Sequence, residues 1–273
     1  MCGRYASSRR PDDLVDEFDV VESRVEEALE PDYNVAPTKD VYAVVDRVPS
    51  ARDEDAAGGS GPDAEPHRQL RVLRWGLVPS WAKDPSIGSR MINARMETVA
   101  DKPAFRRAFA KRRCLLPADG YFEWYETESL TARGKPVKQP YFIRPRDGST
   151  LAMAGLYEIW RDPARDEDDP DRFRWTCTVI TTDAADDLGR IHDRMPLMVP
   201  PERWGSWLDP RTDRGDLLDL LVPAAPGRLE AYPVSTAVGN VRNNGPQLLD
   251  PLPLEDDGTT DDGTTDDGQE TLL

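Results

Sequence analysis

The chain has 273 residues, of which 38% are hydrophobic and 32% charged, with a formal net charge of −16. That length buries a core for one large domain or two small ones, while the acidic balance runs against an ordinary nucleic-acid binder, which advertises basic surface. No apolar run approaches the ~18 residues of a membrane span, and Met1 leads directly into Cys2-Gly3-Arg4 without a signal-type stretch, so a soluble, cytoplasmic protein is expected.

Between residues 12 and 30, Leu14, Val15, Phe18, Val21, Val25 and Leu29 recur with a helical period and acid on the opposite face. Residues 33–38 form a loop containing Pro37. Residues 41–48 alternate like a strand, a Gly/Ala/Asp-rich insertion at 50–66 interrupts, and 69–75 resume the alternation: a hairpin with an expanded, disordered tip. Residues 75–98, rich in Gly and Pro, read as irregular, and 103–113 as a short helix opened by Pro103. Strands are predicted at 114–116, 121–125, 141–143, 151–160 and 175–181, helices at 200–208 and 215–221, and a last strand at 229–233. Residues 251–273 carry a repeated Asp-Asp-Gly-Thr-Thr with little to bury, so an acidic, disordered tail is expected. Strands dominate, helices flank, and no βαβ rhythm occurs: the fold class is α+β.

The excess acid concentrates in segments that read as peripheral: 53–55, the polar insertion at 162–171, and 255–270. Residues 71–125 instead hold eleven Lys or Arg against five Asp or Glu, a local balance of +6 and an electrostatic footprint for an anionic partner. Only six of the 35 basic residues are lysine. Heavy acid with little lysine fits a chain adapted to high, halophilic salt, where the Debye length falls to about 3 Å at 1 M.

Cys2, Cys114 and Cys177 are odd in number with no CxxC spacing, which argues against a disulfide framework or a zinc site; no metal or cofactor is required. Cys114 and Cys177 lie in apolar runs and read as core. Cys2 differs, because trimming of Met1 would make it the N-terminal residue. A terminal cysteine carries an α-amine of reference pKa near 7.7–8.0 beside a thiol, and both can add to one aldehyde carbon to close a thiazolidine. The bland alternative is that Cys2 merely follows the start codon.

Of the two histidines, His67 falls at the edge of the insertion and reads as solvated. His192, in Ile191-His192-Asp193-Arg194-Met195-Pro196, is the one placed to shuttle a proton. Glu123 sits among aromatics in Tyr121-Phe122-Glu123-Trp124-Tyr125, where burial would raise its pKa and make it a general acid; an exposed strand glutamate is the alternative. Asn93 and Arg95 alternate with apolar residues and share a face, an amide and a guanidinium suited to a sugar hydroxyl and a phosphate. Trp75 and Trp81 bracket a rigid loop that could stack on bases, or pack in the core.

Met1-Cys2-Gly3-Arg4, Tyr33-Asn34-Val35-Ala36-Pro37-Thr38, Trp75-Gly76-Leu77-Val78-Pro79-Ser80-Trp81, Ile92-Asn93-Ala94-Arg95-Met96-Glu97-Thr98, Cys114 through Trp124, His192-Asp193-Arg194-Met195-Pro196 and Tyr232-Pro233-Val234-Ser235-Thr236 occur in that order. Together they resemble the SRAP family (SOS-response-associated peptidases, or abasic-site processing proteins) over roughly residues 2–250. The resemblance implies one domain over 1–250 with a mixed, barrel-like, strand-rich core and flanking helices. It implies a monomer that binds single-stranded DNA containing abasic sites, with Cys2 as nucleophile and Asn93, Glu123 and His192 around the lesion. Arg4, Asn34, Arg95 and Arg194 would then line the DNA, the Trp75–Trp81 loop would shape its path, and Met1 would be removed, by self-processing in the family's own terms. The insertions at 50–66 and 162–171 and the tail depart from the family pattern. Two rivals stay open: an N-terminal-nucleophile hydrolase of the glutamine amidotransferase type, and a non-catalytic single-strand-binding module.

Overall fold

The computed structural model describes residues 2–48, 65–169, 172–184, 186–223 and 225–253. In chain order, β1 (Tyr5–Ser7) is followed by helix α1 (Pro11–Glu17), β2 (Glu22–Ser23), β3 (Asp32–Val35), and the paired strands β4 (Asp40–Arg47) and β5 (His67–Trp75). After a 3-10 segment at Pro85–Arg90 come β6 (Asn93–Arg95), α2 (Arg106–Lys111), β7 (Arg113–Ala118), and the hairpin of β8 (Gly120–Leu130) with β9 (Pro136–Pro145). Then follow β10 (Leu151–Arg161), β11 (Phe173–Asp183), β12 (Arg194–Pro196), helices α3 (Trp204–Leu208) and α4 (Arg214–Asp219), and β13 (Leu229–Pro233).

Two sheets result. In the larger, β11, β10, β7, β4 and β5 are successive neighbours, and β5 pairs back onto β11 through Arg74↔Thr176 and Trp75↔Cys177. That last pairing closes a five-stranded barrel, with β6 and β12 added to β11 and β2 to β5. The smaller sheet stays open, in the order β13-β9-β8-β1-β3. The expected strand-rich, barrel-like α+β core is therefore present.

Barrel strands β4, β7 and β10 are largely apolar on both faces because both are covered. Tyr42 and Val44 of β4 join a cluster with Leu14, Phe109, Trp207 and Leu217 of the four helices. Helices cannot fit inside a five-stranded ring, so this face is outward. Val41, Ala43 and Val45 alternate to the inward face and join Cys114, Met153 and Cys177, together with Tyr5, Tyr121 and Ile143 of the open sheet. Both core cysteines are buried as expected. Packing is tight at Gly155 of β10, where an added Cβ would stand 2.8 Å from Cys114 Sγ and 3.0 Å from the Thr178 carbonyl. Arg113 ties the wall to α3: Nε donates to the Trp207 carbonyl at 2.6 Å, one terminal nitrogen to Phe109 at 2.8 Å and the other to Asp209.

The structure corrects several sequence expectations. The helix expected over 12–30 ends at Glu17. Asp19 takes φ 51°, and the amides of Val21 and Arg24 donate to Arg68 and Leu70, so sheet pairing wins over helical periodicity. Val25 and Leu29 still pack on the outward cluster, without a helix. The loop at 33–38 is partly strand β3, paired to β1. His67, expected to be solvated, is half-buried with Nε2 2.6 Å from Glu22 Oε2. The acidic segment near 162–169 is tied down by arginines: Arg174 donates to Asp162 at 2.7 Å and Arg165 to Asp169 at 2.8 Å. The hairpin of β4 and β5 is present, but its tip and the tail from residue 254 lie outside the described residues.

Candidate active site

The register of β1 against β8 brings the site together. Tyr5 opposes Tyr121, Ala6 opposes Gly120, and the Phe122 amide donates to the Arg4 carbonyl at 2.9 Å. Continued towards the terminus, this antiparallel register runs residues 2–4 alongside Glu123. Cys2 is fully buried there, against the cluster that holds Tyr5, Trp75, Tyr121 and Met195.

The barrel supplies the opposite wall. Asn93 of β6 pairs with Val179 of β11, and its Nδ2 donates to the Cys2 carbonyl at 2.8 Å. That bond fixes the amide orientation, and Asn93 Oδ1, buried, accepts no hydrogen bond among the described residues. An unsatisfied buried acceptor beside Cys2 is a place for a ligand hydroxyl. His192 stands two residues before β12. The Arg194 amide donates to its Nδ1 at 2.9 Å; an N–H can only donate, so the neutral ring carries its proton on Nε2. Nε2 lies 4.0 Å from Glu123 Oε2. Asp193 Oδ1 is also 2.9 Å from Nδ1, but that carboxylate is 86% exposed and well screened.

Burial sets the charges. Glu123, 4% exposed, has its pKa pushed up to about 7, by loss of water first and then by the charge of Asp193. It is thus poised to hold or release a proton near neutrality. Burial, reinforced by Glu123, pushes the Cys2 thiol well up, so its sulfur stays protonated in the closed site. Burial also lowers the pKa of His192, leaving a neutral imidazole. Cys2, a carboxyl with a pKa near 7, a neutral imidazole and an open amide acceptor, from sequence positions 2, 123, 192 and 93, meet in one crevice.

The residues expected to line a nucleic acid divide differently. Arg95 and Trp81 are exposed, Trp81 by 55%. Trp81 projects from a loop closed backbone to backbone, since a Cβ on Gly76 (φ +128°) would lie 2.7 Å from the Gly88 carbonyl oxygen. Trp75 as a base-stacking residue is corrected: it is fully buried, donates to the Ile92 carbonyl at 2.9 Å and packs on Tyr5. Asn34 is likewise buried; its Nδ2 donates to the carbonyls of Val238, Asn240 and Asn243. Arg4 is turned inward, donating to Asn34 Oδ1 at 2.7 Å and Val238 O at 2.8 Å, with its guanidinium 5.7 Å from the Trp124 ring centre. Arg194 is buried and neutralised, forked onto Glu97 at 2.8 and 3.1 Å and bonded to Asp183 at 2.5 Å. The polar atoms of these four side chains bond within the protein.

Sequence reading missed what continues the crevice outward. Beyond Ile191 and Met195 opens a cleft of about 940 Å³, lined also by Tyr125, Tyr141, Arg146 and Arg228. The signal was present in the period-2 spacing of Tyr121, Glu123 and Tyr125, which puts all three on one face of β8.

Comparison with known proteins adds independent findings. The family model for SRAP, SOS response associated peptidase, matches residues 1–241. Abasic site processing protein YoaM of Bacillus subtilis is 38% identical over 251 residues, covering 92% of this chain and 98% of its own. Abasic site processing protein HMCES of Gallus gallus is 33% identical, over 82% of this chain and 67% of its own. Among solved structures, a Bacteroides thetaiotaomicron protein superposes with a TM-score of 0.70 at 24% identity, covering 92% of this chain and all of the other, a likeness of fold.

Proposed function

This chain belongs to the SRAP family, and on that premise we propose that it processes abasic sites in single-stranded DNA by covalent capture on Cys2 after removal of Met1. The observation that carries the reading is the closed cluster of Cys2, Asn93, Glu123 and His192, in which burial holds Glu123 near neutrality.

An abasic deoxyribose reacts as its ring-opened aldehyde. Protonated Glu123 delivers a proton to the ring oxygen as the sugar opens, and Asn93 Oδ1 accepts from a sugar hydroxyl. The Cys2 amine adds to C1′, and loss of water leaves an iminium. The thiol then adds to that carbon, its proton passing to the Glu123 carboxylate, and a thiazolidine closes. Overall one water is lost and nothing is oxidised or reduced. The raised thiol pKa fits this order, because the amine, not a thiolate, makes the first bond. Capture by sulfur competes with β-elimination from the iminium, so the product shields the strand and cleavage is a minor lyase leak. Self-removal of Met1 uses the same crevice. Arg95 and Trp81, both exposed, contact the strand.

A uracil-containing oligonucleotide treated with uracil glycosylase tests this on a denaturing gel. The wild type gives a heat-stable adduct whose mass is the sum of the partners less one water. Cys2→Ala abolishes it, and an undiminished adduct would remove Cys2 from the chemistry. Glu123→Gln slows formation at least tenfold, about 1.4 kcal/mol of barrier.

A further inference from the structure

The crevice does not end at Glu123. Along β8, Tyr121, Glu123 and Tyr125 share a face, and their exposure rises from 1% through 4% to 38%. Glu123 is paired across the hairpin with Tyr141 of β9, so Tyr141 belongs to that same face, and the Tyr125 and Tyr141 rings meet edge to face at 6.4 Å. Residues two apart on a strand stand about 6.8 Å apart, the reach of a neighbouring nucleotide. From the barrel side, Ile191, which adjoins His192, and Met195 close the inner end of the 940 Å³ cleft.

The charge of this cleft departs from that of the molecule. Among the described residues, Arg146, Arg190 and Arg228 line it, against one carboxylate, Glu230, whose Oε1 already accepts from Arg144 at 2.8 Å. In a chain of net charge −16, Arg146 and Arg228 beside an exposed tyrosine make an anion-attracting recess with a stacking floor.

We propose that this cleft holds the nucleotide adjacent to the abasic sugar, its base stacked on Tyr125 and its phosphate drawn by Arg146 and Arg228. The assignment rests on the abasic-site reading of the Cys2 crevice and names the next contact outward from it. The lesion has no base of its own to grip, so a neighbouring base seated one strand repeat away fixes the register of the sugar over Glu123.

The test uses two oligonucleotides carrying a tetrahydrofuran abasic analogue, which has no aldehyde, with 2-aminopurine immediately 5′ of it in one and 3′ in the other. The wild-type chain is expected to quench one of the two. Tyr125→Ala loses that quenching and weakens binding about fivefold or more, Tyr125→Phe restores both, and Arg228→Ala weakens binding with a shallower salt dependence. Quenching of neither probe, or quenching that survives Tyr125→Ala, overturns the proposal. The same proteins are incubated with a true abasic oligonucleotide on a denaturing gel. If the wild type gives no Cys2 adduct, the reading of the crevice falls and the cleft assignment with it; if the adduct forms while both probes stay bright, the cleft assignment alone falls.

Discussion

The barrel and the open sheet contribute to one crevice in different ways. The barrel is a closed ring of five strands, covered outside by four helices and filled inside by small and apolar side chains, and it presents Asn93 and His192 from strands and turns attached to β11. The open sheet has two free edges, β13 and β3, and delivers Cys2 and Glu123 from its interior strands. The carboxyl that burial brings to a pKa of about 7 thus stands on the open sheet, facing side chains held by the closed one. Precision at such a site depends on the supporting contacts as much as on the reacting groups.

Four substitutions probe that division, in falling order of expected effect on stability. Arg113→Met leaves the carbonyls of Phe109, Trp207 and Asp209 without their donor and should cost about 3 kcal/mol or more. A loss below about 1 kcal/mol in denaturant unfolding would show that the barrel wall does not depend on this tie. Glu123→Gln should act with the opposite sign. The folded-state pKa of Glu123 is raised to about 7 from the ordinary 4.5, so its contribution is fully present below pH 4.5 and is lost as pH rises through 7. At pH 8 the variant should exceed the wild type by up to about 3 kcal/mol, and at pH 4 the two should coincide. Unfolding measured at both pH values decides, and a pH-independent difference breaks the assignment of Glu123 as a strained, titrating group.

Asn34→Ala removes three donated bonds and the acceptor for Arg4. About 2 kcal/mol is expected, with faster amide exchange over residues 236–243, the segment that Asn34 holds to the edge of the open sheet. Unchanged exchange there would mean that the segment is held by other contacts. Trp81→Ala belongs to neither wall and should change stability by less than about 0.5 kcal/mol, yet weaken single-stranded DNA binding about fivefold or more. Fluorescence anisotropy on an abasic-analogue oligonucleotide checks it. Equal affinities would leave the exposed tryptophan without a role in the strand's path.

Much of this was legible in the sequence wherever local pattern and tertiary environment agree. The apolar content of β4 and β10 gave strands because both of their faces are buried, alternation gave β5, whose outward face is only partly covered, and the aromatic setting of Glu123 gave its burial. Arg194 was misread because its neutralising partners are distant: Glu97 lies 97 residues away, and Asp183 meets it only through the pairing of β11 with β12. Trp75 reads both as the end of a strand over 69–75 and as one bracket of the loop to Trp81, and only the ring closure of β5 with Cys177 puts it in the core. Asn34 sits in a short motif whose purpose is visible only once residues 238–243 fold over it. The helix expected over 12–30 failed because an apolar period is satisfied equally well by an extended segment lying across the barrel.

The position of β1 inside the open sheet, between β3 and β8, bears on how the molecule is made. Its two neighbours are far apart in the chain, β3 at Asp32–Val35 and β8 at Gly120–Leu130. Until β8 docks, Cys2 has no wall on the side of Glu123. Once β8 docks, that side is enclosed. The crevice is thereby completed only by a contact between distant parts of the chain.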